Sequence, residues 1–336
     1  MKKNKIIIIA EAGVNHNGEL SLAKKLVDVA VKAKADFVKF QTFKAKNIVT
    51  KNTNQANYQK RYGNKNQSQF DMLSKLQLSH IDQIKLFKYC KLKKIKFLST
   101  PFDLESFNFL KKIKLNIFKI PSGEITNVPL LRAIGSENKR VILSTGMSTI
   151  KEINKAIETL VSSGTKKNNI TVLHCTSEYP APYNELNLNV IKTLKKNFGV
   201  KVGYSDHSQG IEVPIAAVAL GAEVIEKHFT LDKKLKGPDH AASLNPEELL
   251  HMVKSIRNIE NALGSFKKSV TRSEKKNLKV VRKFIVASKP INKGDKFSNE
   301  NLTTKRSGRG IPASRWDNIV GKKSKKKYFI DSIIFE

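Results

Sequence analysis

The sequence predicts a closed barrel of eight parallel strands wrapped by helices, followed by a small β-rich domain. Short β-branched apolar runs recur eight times within residues 1–230, and stretches with apolar residues at helical spacing separate them. Strands that alternate with helices indicate a parallel sheet covered by helices. Eight such units in about 260 residues match the usual length of a (β/α)8, or TIM, barrel.

The predicted strands follow one another in regular order from the N-terminus. They cover residues 5–10, 37–40, 96–99, 117–120, 141–144, 170–174, 200–204 and 224–228. Helical spacing is clear at 20–34 and 150–161. An open, doubly wound sheet is the alternative fold. It is disfavoured because the turn after the first strand lacks the G-x-G-x-x-G pattern of dinucleotide-binding sheets.

The barrel is predicted to end with a helix at 245–263, which Asn245 caps, Pro246 opens and Gly264 stops. We therefore place the barrel domain at 1–265. A Lys- and Ser-rich linker follows at 266–281, and a small, mainly β domain occupies 282–336, with strand-like runs at 284–287, 302–305 and 328–334. Such a small domain is expected to pack against a partner.

One long segment interrupts the alternation after the second strand. Residues 42–68 are rich in Asn, Gln and Lys. Loops of this length in compact domains are either functional lids or disordered segments, and both interpretations remain open here.

The charge of the chain is strongly positive, at +33, with 62 Lys and Arg against 29 Asp and Glu. The lysines are spread over predicted helices and tail, and no nucleic-acid-binding motif occurs, so we expect no nucleic-acid partner. A positive barrel mouth would instead concentrate anionic substrates.

Cysteine content and hydropathy indicate a cytoplasmic protein. Cys90 and Cys175 are too few for a disulfide framework, which suggests a reducing compartment, and we interpret Cys175 as a small buried thiol. The first apolar run is too short for a signal segment, and no run approaches the roughly 18 apolar residues of a membrane span.

Polar residues follow nearly every predicted strand, where TIM barrels carry their chemistry. His207 and His228 end strands seven and eight, and two imidazoles there predict a divalent-metal site with open positions. Two nitrogens without a thiolate favour an ion such as Mn²⁺ over structural zinc. In the alternative, each imidazole only makes hydrogen bonds at the rim. Asp206 and Glu226 are candidates to fix an imidazole tautomer.

A second group of strand-end residues predicts a site for a small dianion. Its members supply ammonium groups and hydroxyls, and they are Lys39, Thr100, Lys119, Ser122 and Ser205. Two lysines at strand ends carry the argument, because a buried ammonium needs an anion to offset its desolvation.

Three carboxylates are candidates for proton transfer or for binding hydroxyls. Glu124 is favoured as the acid or base, because it follows Ser122 in a tight turn beside the predicted anion site. Glu11 and Asp239 are better suited to binding sugar hydroxyls. Helix capping is the ordinary alternative for each of them.

Nine segments resemble those of the sialic acid synthases, the phosphoenolpyruvate-dependent nonulosonate synthases that make N-acetylneuraminate or N,N'-diacetyllegionaminate. They are EAGVNHNG (11–18), VKFQT (38–42), LSTPF (98–102), FKIPSGE (118–124), LSTGM (143–147), HCTSEYPAP (174–182), GYSDH (203–207), IEKHFT (225–230) and GPDH (237–240). The tail resembles the antifreeze-like SAF domain of these enzymes, with Ser307 where the family usually has Pro. The likeness covers essentially the whole chain.

The resemblance implies a carbon–carbon bond-forming transferase with a TIM barrel, a domain-swapped homodimer and a divalent metal ion at His207 and His228. Mn²⁺ is the expected ion, with Mg²⁺ or Co²⁺ as alternatives. Phosphoenolpyruvate would be bound by Lys39, Thr100, Lys119, Ser122, Ser177 and Ser205, and an N-acylated aldose by Glu11, Gln41, Tyr179, Asp239 and the partner's Arg306. Catalysis is expected of Glu124 and Glu11. The SEYPAP segment at 177–182 is closer to the legionaminate branch of the family.

Two other functions remain open. A heptulosonate or octulosonate phosphate synthase would use the same phosphoenolpyruvate with a phosphorylated sugar, and it would need a second phosphate site. A non-catalytic protein that binds through its basic charge would be retained on DNA in a salt-dependent way and would release no phosphate from phosphoenolpyruvate.

Overall fold

The computed structural model describes residues 5–62 and 67–335, except the side chains of Tyr58, Arg61 and Tyr62. The chain divides into two compact units, at Met1–Gly264 and Ser265–Glu336. The first unit contains eight parallel strands in the order β3-β2-β1-β8-β7-β6-β5-β4. β3 also lies against β4, which closes the sheet into a barrel. The predicted fold class is confirmed.

The strands observed in the barrel coincide with the eight predicted runs to within a few residues. They are β1 (Ile7–Gly13), β2 (Phe37–Thr42), β3 (Lys96–Pro101), β4 (Ile117–Ile120), β5 (Arg140–Ser144), β6 (Ile170–His174), β7 (Lys201–Asp206) and β8 (Val224–His228). β1, β2, β3 and β7 extend further toward their carboxyl ends than predicted. Those extensions bring the polar strand-end residues into the sheet itself.

Helices follow the strands and cover the barrel. They are α1 (Leu20–Lys32), α2 (Ala45–Ile48), α3 (Asn57–Tyr62), α4 (Gln69–Leu76), α5 (His80–Leu92), α6 (Leu104–Lys112), α7 (Val128–Gly135), α8 (Ile150–Ser162), α9 (Val190–Phe198), α10 (Glu212–Ala219) and α11 (Pro246–Ala262). Over the residues that the structure describes, no helix combines the length and the apolar character that crossing a bilayer requires.

Apolar side chains pack on both faces of the barrel sheet. One cluster packs the outer face of the strands against the helices. A smaller cluster fills the interior below the mouth, and it contains Ile9, Phe37, Leu98, Ile117, Ile142, Leu173 and Val224. Because the interior is packed, the chemistry is confined to the carboxyl ends of the strands.

The last barrel helix begins as the sequence predicts. Asn245 caps α11 in a reciprocal arrangement in which its side chain accepts from the Glu248 backbone N–H and the Glu248 side chain accepts from the Asn245 N–H. Pro246 takes the first helical position, where its missing N–H costs nothing.

The segment interpreted as a linker contains an exposed helix, α12 (Arg272–Val281). Thr271 and Glu274 form the same reciprocal cap, a signal that the Lys-rich composition obscured. The second unit then folds around its own apolar cluster, with an antiparallel pair of strands, β9 (Phe284–Ala287) and β10 (Leu302–Lys305). The third predicted run, at 328–334, makes isolated bridges at Tyr328 and Ile333.

The long segment after β2 has regular secondary structure in the part that the structure describes. It contains α2 and α3, and α4 follows it. Ser68 caps α4 by accepting from the Asp71 backbone N–H at 3.1 Å. Residues 63–66 of this segment, which was interpreted as either a lid or a disordered loop, lie outside the described residues.

Candidate active site

A cavity of about 480 Å³ opens at the carboxyl ends of the barrel strands. It gathers thirteen of the fourteen predicted site residues. They are Glu11, Lys39, Gln41, Thr100, Lys119, Ser122, Glu124, Ser177, Tyr179, Ser205, His207, His228 and Asp239. Arg306 belongs to the second unit, where its side chain is exposed.

Four buried charged groups form the floor of this cavity, which we call the ionic floor (Glu11, Lys39, Lys119 and Glu226). Lys39 Nζ lies 2.5 Å from Glu11 Oε2 and 3.7 Å from Glu226 Oε2. Lys119 Nζ lies 3.0 Å from Glu226 Oε1, which also accepts from Ser205 Oγ at 3.0 Å. The register explains this meeting, since Glu11 is paired with Lys39 across β1 and β2, and Ser205 with Glu226 across β7 and β8.

Burial acts differently on the members of the ionic floor. Burial raises the pKa of Glu11 even though Lys39 opposes the shift. Burial also acts to raise the pKa of Glu226, but the charges of Lys119 and Lys39 lower it on balance. Burial lowers the pKa of Lys119, whereas Glu11 and Glu226 outweigh burial at Lys39 and raise its pKa. Glu226 is thus the carboxylate that holds its charge, and Glu11 is the one closer to protonation.

Hydroxyl groups border the ionic floor. Lys39 Nζ donates to Thr100 Oγ1 at 3.0 Å. Ser122 Oγ accepts from the Gly146 backbone N–H at 2.9 Å and lies 3.2 Å from Cys175 Sγ. A Cβ on Gly146 would lie 2.1 Å from Ser177 Oγ, so only glycine lets the backbone come this close to the hydroxyls. Cys175 is a buried free thiol, as predicted.

The two histidines predicted to bind metal are neighbours in space. Their ring centroids are 5.6 Å apart. His207 Nδ1 lies 2.6 Å from the Thr176 carbonyl oxygen, so it carries the hydrogen and donates, and His207 Nε2 faces the Tyr179 hydroxyl at 3.1 Å. His228 Nδ1 is buried, has no hydrogen-bond partner among the described residues and lies 3.9 Å from Asp239 Oδ2.

The donor set suits a divalent ion with open coordination positions. Burial lowers the pKa of His207 to about 4 and the pKa of His228 well below its ordinary value, so both imidazoles are neutral, as metal ligands must be. Within the described residues, no three His, Cys, Asp or Glu side chains are arranged to hold a metal ion together. Two imidazoles would leave the other positions to water and substrate oxygens.

Two further predicted residues stand beside the histidines. Burial raises the pKa of Asp239 to about 6. No side-chain cap bond from Asp239 is present at the short 3₁₀ turn it precedes, so the alternative of a capping role is not supported. The Tyr179 ring lies 4.1 Å from the His207 ring, centroid to centroid.

Glu124 lies on the rim of the cavity, in the 3₁₀ turn Ser122–Glu124 that follows β4. Its Oε2 accepts from Asn127 Nδ2 at 2.6 Å. Burial raises the pKa of this carboxyl, which brings it nearer to the range of a general acid or base.

Apolar side chains also line the cavity, beside Gln59 and Gln69 from the same segment. The apolar wall (Val14, Ile48, Val49, Met72, Leu73 and Leu76) comes from the β1–α1 loop and from the segment that contains α2 and α4. Val14, Met72 and Leu76 pack together with Phe43 in a small cluster of their own. A lid was one of the two interpretations of this segment from the sequence. The apolar contacts that it makes with Val14 and Phe43 were not predicted.

The hypothesis that Asp206 and Glu226 orient the imidazoles is wrong. Thr176 is the partner of His207 Nδ1. Asp206 instead pairs with Lys227 at 2.5 Å and accepts from Ser208 Oγ at 2.7 Å. Glu226 belongs to the ionic floor. Strand alternation could have placed it there, because residues 226 and 228 of one strand point to the same side.

A parallel barrel with buried cations, carboxylates and two neutral imidazoles at its mouth is typical of a TIM-barrel enzyme with its active site at the strand ends. Residues 26–268 match the NeuB family and residues 282–335 the SAF domain. The chain belongs to the NeuB family.

Several named relatives resemble the chain over most of its length. It is 53% identical over 332 residues to N,N'-diacetyllegionaminic acid synthase of Campylobacter jejuni, with 99% of each chain covered. It is 46% identical to the enzyme of that name from Legionella pneumophila, with 94% of this chain and 89% of that one covered. The crystal structure of N-acetylneuraminic acid synthetase from Leptospira borgpetersenii is 37% identical, with a TM-score of 0.71 over 82% of this chain and 90% of that one.

Proposed function

We propose that this protein joins phosphoenolpyruvate to 2,4-diacetamido-2,4,6-trideoxymannose and releases inorganic phosphate, which forms N,N'-diacetyllegionaminate. The class of reaction, a carbon–carbon bond-forming synthesis of a sialic-acid-type sugar, follows from the family. The observation that supports this sugar is a cavity that contains both the ionic floor and the apolar wall. The 53% identity to an N,N'-diacetyllegionaminic acid synthase supports the same choice.

The ionic floor suits phosphoenolpyruvate. Lys39 and Lys119 would face its phosphate and carboxylate, and the hydroxyls of Thr100, Ser122 and Ser205 border the same space. Ser177 packs against the Gly146 backbone at the edge of that group. Buried ammonium groups bind a dianion more strongly than exposed ones do, because little water competes.

The apolar wall suits the sugar. N-acetylmannosamine presents hydroxyl groups at positions 4 and 6, whereas the trideoxy sugar presents an acetamido methyl and a C6 methyl. Burying a hydroxyl against Met72 and Leu73 without a hydrogen bond costs free energy, and burying a methyl group there is favourable. Glu11, Gln41, Tyr179 and Asp239 would bind the remaining polar groups of the aldose.

The reaction balances with the groups at hand. The methylene carbon of phosphoenolpyruvate attacks the aldehyde carbon of the open-chain sugar, and water adds to the enol carbon, which becomes cationic. Glu124 would take one proton of that water, and this proton would go to the alkoxide formed at the aldehyde oxygen. The hydroxyl of the tetrahedral intermediate would lose the second proton to the departing phosphate as the C–O bond breaks, which leaves the keto group of the product. Holding both reactants in near-attack geometry contributes on the order of 7 to 11 kcal/mol to such reactions.

The proposal includes a divalent ion, with Mn²⁺ favoured over Mg²⁺ and Co²⁺, held by His207 and His228. When bound, the ion would polarise the aldehyde oxygen. His207 would bind through Nε2, since its Nδ1–H is engaged by Thr176. We expect chelated protein, His207→Ala and His228→Ala to lose activity and to fail to bind Mn²⁺ in a paramagnetic resonance titration. Full activity and unchanged Mn²⁺ binding in both variants would remove the metal from the proposal.

The proposal also includes a cytoplasmic, domain-swapped homodimer in which Arg306 serves the partner's cavity. Exposed apolar side chains in the second unit, among them Phe266, Phe329 and Ile330, favour a subunit contact. Mixing and refolding Arg306→Ala with Lys119→Met tests this idea. If the arginine acts in trans, mixed dimers regain activity in one of their two cavities, and no gain on mixing contradicts it.

The rate of phosphate release with each sugar measures which sugar the enzyme prefers. We expect the wild type to prefer the trideoxy sugar over N-acetylmannosamine by at least about tenfold in kcat/KM. Leu73→Gln, which places an amide in the apolar wall, should narrow that preference, whereas the same change at exposed Leu92 should not. Equal turnover of both sugars by the wild type would contradict the proposed substrate.

A phosphorylated aldose is the second candidate, and the cavity disfavours it. Among the described residues that line it, Lys39 and Lys119 are the only lysines or arginines, and both lie on the ionic floor. Turnover of arabinose 5-phosphate in the same assay would reverse this conclusion.

A further inference from the structure

Two side chains of the loop after β1, Asn15 and Asn17, are not among the described residues that line the cavity. Asn15 is completely buried and lies behind the cavity rather than in it. Both asparagines reach across to the segment 229–244, which connects β8 to α11 and carries Asp239. We call this segment the return loop.

Asn15 holds the return loop at two points. Its Nδ2 donates to the Phe229 carbonyl oxygen at 2.8 Å and to Ser243 Oγ at 2.9 Å. Ser243 Oγ in turn donates to the backbone carbonyl of Asp239 at 2.6 Å. One amide is thus connected, through a single hydroxyl, to the backbone of the residue predicted to meet the aldose.

Asn17 contacts residues 236 and 240, which lie on either side of Asp239 in the chain. Its Nδ2 donates to the Lys236 carbonyl oxygen at 3.1 Å, so its Oδ1 is left as the acceptor for His240 Nε2, also at 3.1 Å. His240 Nε2 therefore carries the hydrogen, and His240 Nδ1 accepts from Thr230 Oγ1 at 2.6 Å. Burial lowers the pKa of His240 to about 4, which is consistent with this neutral tautomer.

The backbone of the return loop is shaped around these contacts. Gly237 has a φ of +155°, and a Cβ there would lie 2.7 Å from His240 Cδ2 and 3.0 Å from Asn17 Oδ1. A side chain at this position would push the loop away from Asn17. The glycine is therefore explained by the close approach of the asparagine–histidine pair.

We propose that Asn15 and Asn17 are positioning residues that fix Asp239 in the cavity, where it selects and orients the aldose. This inference rests on the proposed function for the role of Asp239. The asparagines bind the return loop at residues 229, 236, 240 and 243. They would thereby hold the Asp239 carboxylate in place, although no side chain among the described residues donates a hydrogen bond to it.

Steady-state kinetics with both substrates test the proposal. Asn15→Asp keeps the shape of the side chain but removes the N–H donors, and Thr230→Val removes the hydroxyl that supports His240. We expect each to raise the KM for the aldose about tenfold while the KM for phosphoenolpyruvate changes less than twofold. Thr230→Ser should restore the wild-type aldose KM, because it restores the hydroxyl.

Thr165→Val is the matched control, since Thr165 is a buried threonine whose hydroxyl ties another pair of loops by donating to the Gly135 carbonyl at 3.0 Å. It should leave both KM values unchanged. If Asn15→Asp raised both KM values alike, or if Thr165→Val raised the aldose KM as much, the asparagines would have only a general structural role and the proposal would be wrong.

Hydrogen exchange tests the same proposal without the reaction. Backbone amides of 236–243 should exchange faster in Asn15→Asp and Asn17→Ala than in the wild type or in Thr165→Val. Unchanged exchange would overturn the positioning role. A wild type that consumed phosphoenolpyruvate with neither sugar would contradict the proposed function alone, because the exchange experiment would still decide whether the asparagines hold the loop.

Discussion

The two ends of the barrel both contain clusters of carboxylates and cations, but only one of them is saturated with hydrogen bonds. At the amino-terminal end, Asp36 accepts from Lys5 at 2.5 Å, from the Ile8 backbone N–H at 2.9 Å and from Arg257 at 2.5 Å. Arg257 also donates to the Ile6 carbonyl and to Glu260. Each charge in this cluster has a partner of the opposite sign.

At the carboxyl end, several buried polar atoms have no hydrogen-bond partner within the described residues. They include Oε1 of Glu11 and Nδ1 of His228, whereas Oε2 of Glu11 and Oε2 of Glu226 have only the Lys39 ammonium nearby, at 2.5 and 3.7 Å. Burying polar atoms in this way costs stability, so they are expected where a ligand completes the bonding. The comparison indicates that the amino-terminal cluster stabilises the barrel and that the mouth is arranged for binding.

The largest expected effect is at the mouth. Lys119→Met removes an ammonium group that would face phosphoenolpyruvate, and it leaves Glu226 with one cation fewer. We expect kcat/KM to fall by a factor of about 100 to 1,000, as when a preorganised charge donor is removed from an enzyme. Lys111→Met, the same change at an exposed lysine, should leave it unchanged. If Lys111→Met lowered kcat/KM as much as Lys119→Met, the effect could not be attributed to the position of Lys119 at the mouth of the barrel.

The next effect concerns the pH profile. Glu124 must be deprotonated to act as a base, and because burial raises its pKa, activity should fall with decreasing pH earlier than for an exposed glutamate. Glu124→Gln should lower kcat about 100-fold and remove that acidic limb. Glu158→Gln, at an exposed glutamate, serves as the control. An acidic limb that persisted in Glu124→Gln would assign it to another group.

The smallest effect is at the amino-terminal end. Burial acts to raise the pKa of Asp36, but bonds from Lys5, Ile8 N–H and Arg257 lower it below its ordinary value of 3.8. The stabilisation is therefore present above that value and is lost as the pH falls through the lower, folded-state pKa.

Asp36→Asn should accordingly reduce the free energy of unfolding by about 1–2 kcal/mol at pH 7, with allowance for partial exposure, while kcat stays the same. Urea unfolding at pH 7 and at pH 3 measures this, and the difference from wild type should shrink at pH 3. If Asp36→Asn lowered kcat but not the free energy of unfolding, the amino-terminal cluster would serve activity rather than stability, contrary to the role given to it.

The positions of the strand-end residues were largely predictable. Parallel strands of a barrel direct their carboxyl ends to one mouth, so Lys39, Lys119, His207 and His228 could be brought together from strand order alone. Glu226 was assigned to the wrong partner, because an imidazole and an ammonium are both within reach of a buried carboxylate and the sequence does not say which is nearer.

The apolar wall was not predictable in the same way. Met72 and Leu73 lie on a short helix after a polar segment, and their contact with Val14 depends on how that segment folds back over the barrel. No periodicity or motif links residues so distant along the chain. The helix α12 was missed for a different reason, since its cap at Thr271 was hidden in a Lys-rich stretch.

Local sequence thus determined the barrel, its order of strands and the residue types at the mouth, because strand and helix periodicity are properties of neighbouring residues. The tertiary structure decided which charges pair, which atoms of the described residues stay without a partner and how Asn15 and Asn17 bind the loop that carries Asp239. Those features depend on distances between strands and loops that are far apart in the chain, and only the packed barrel sets them.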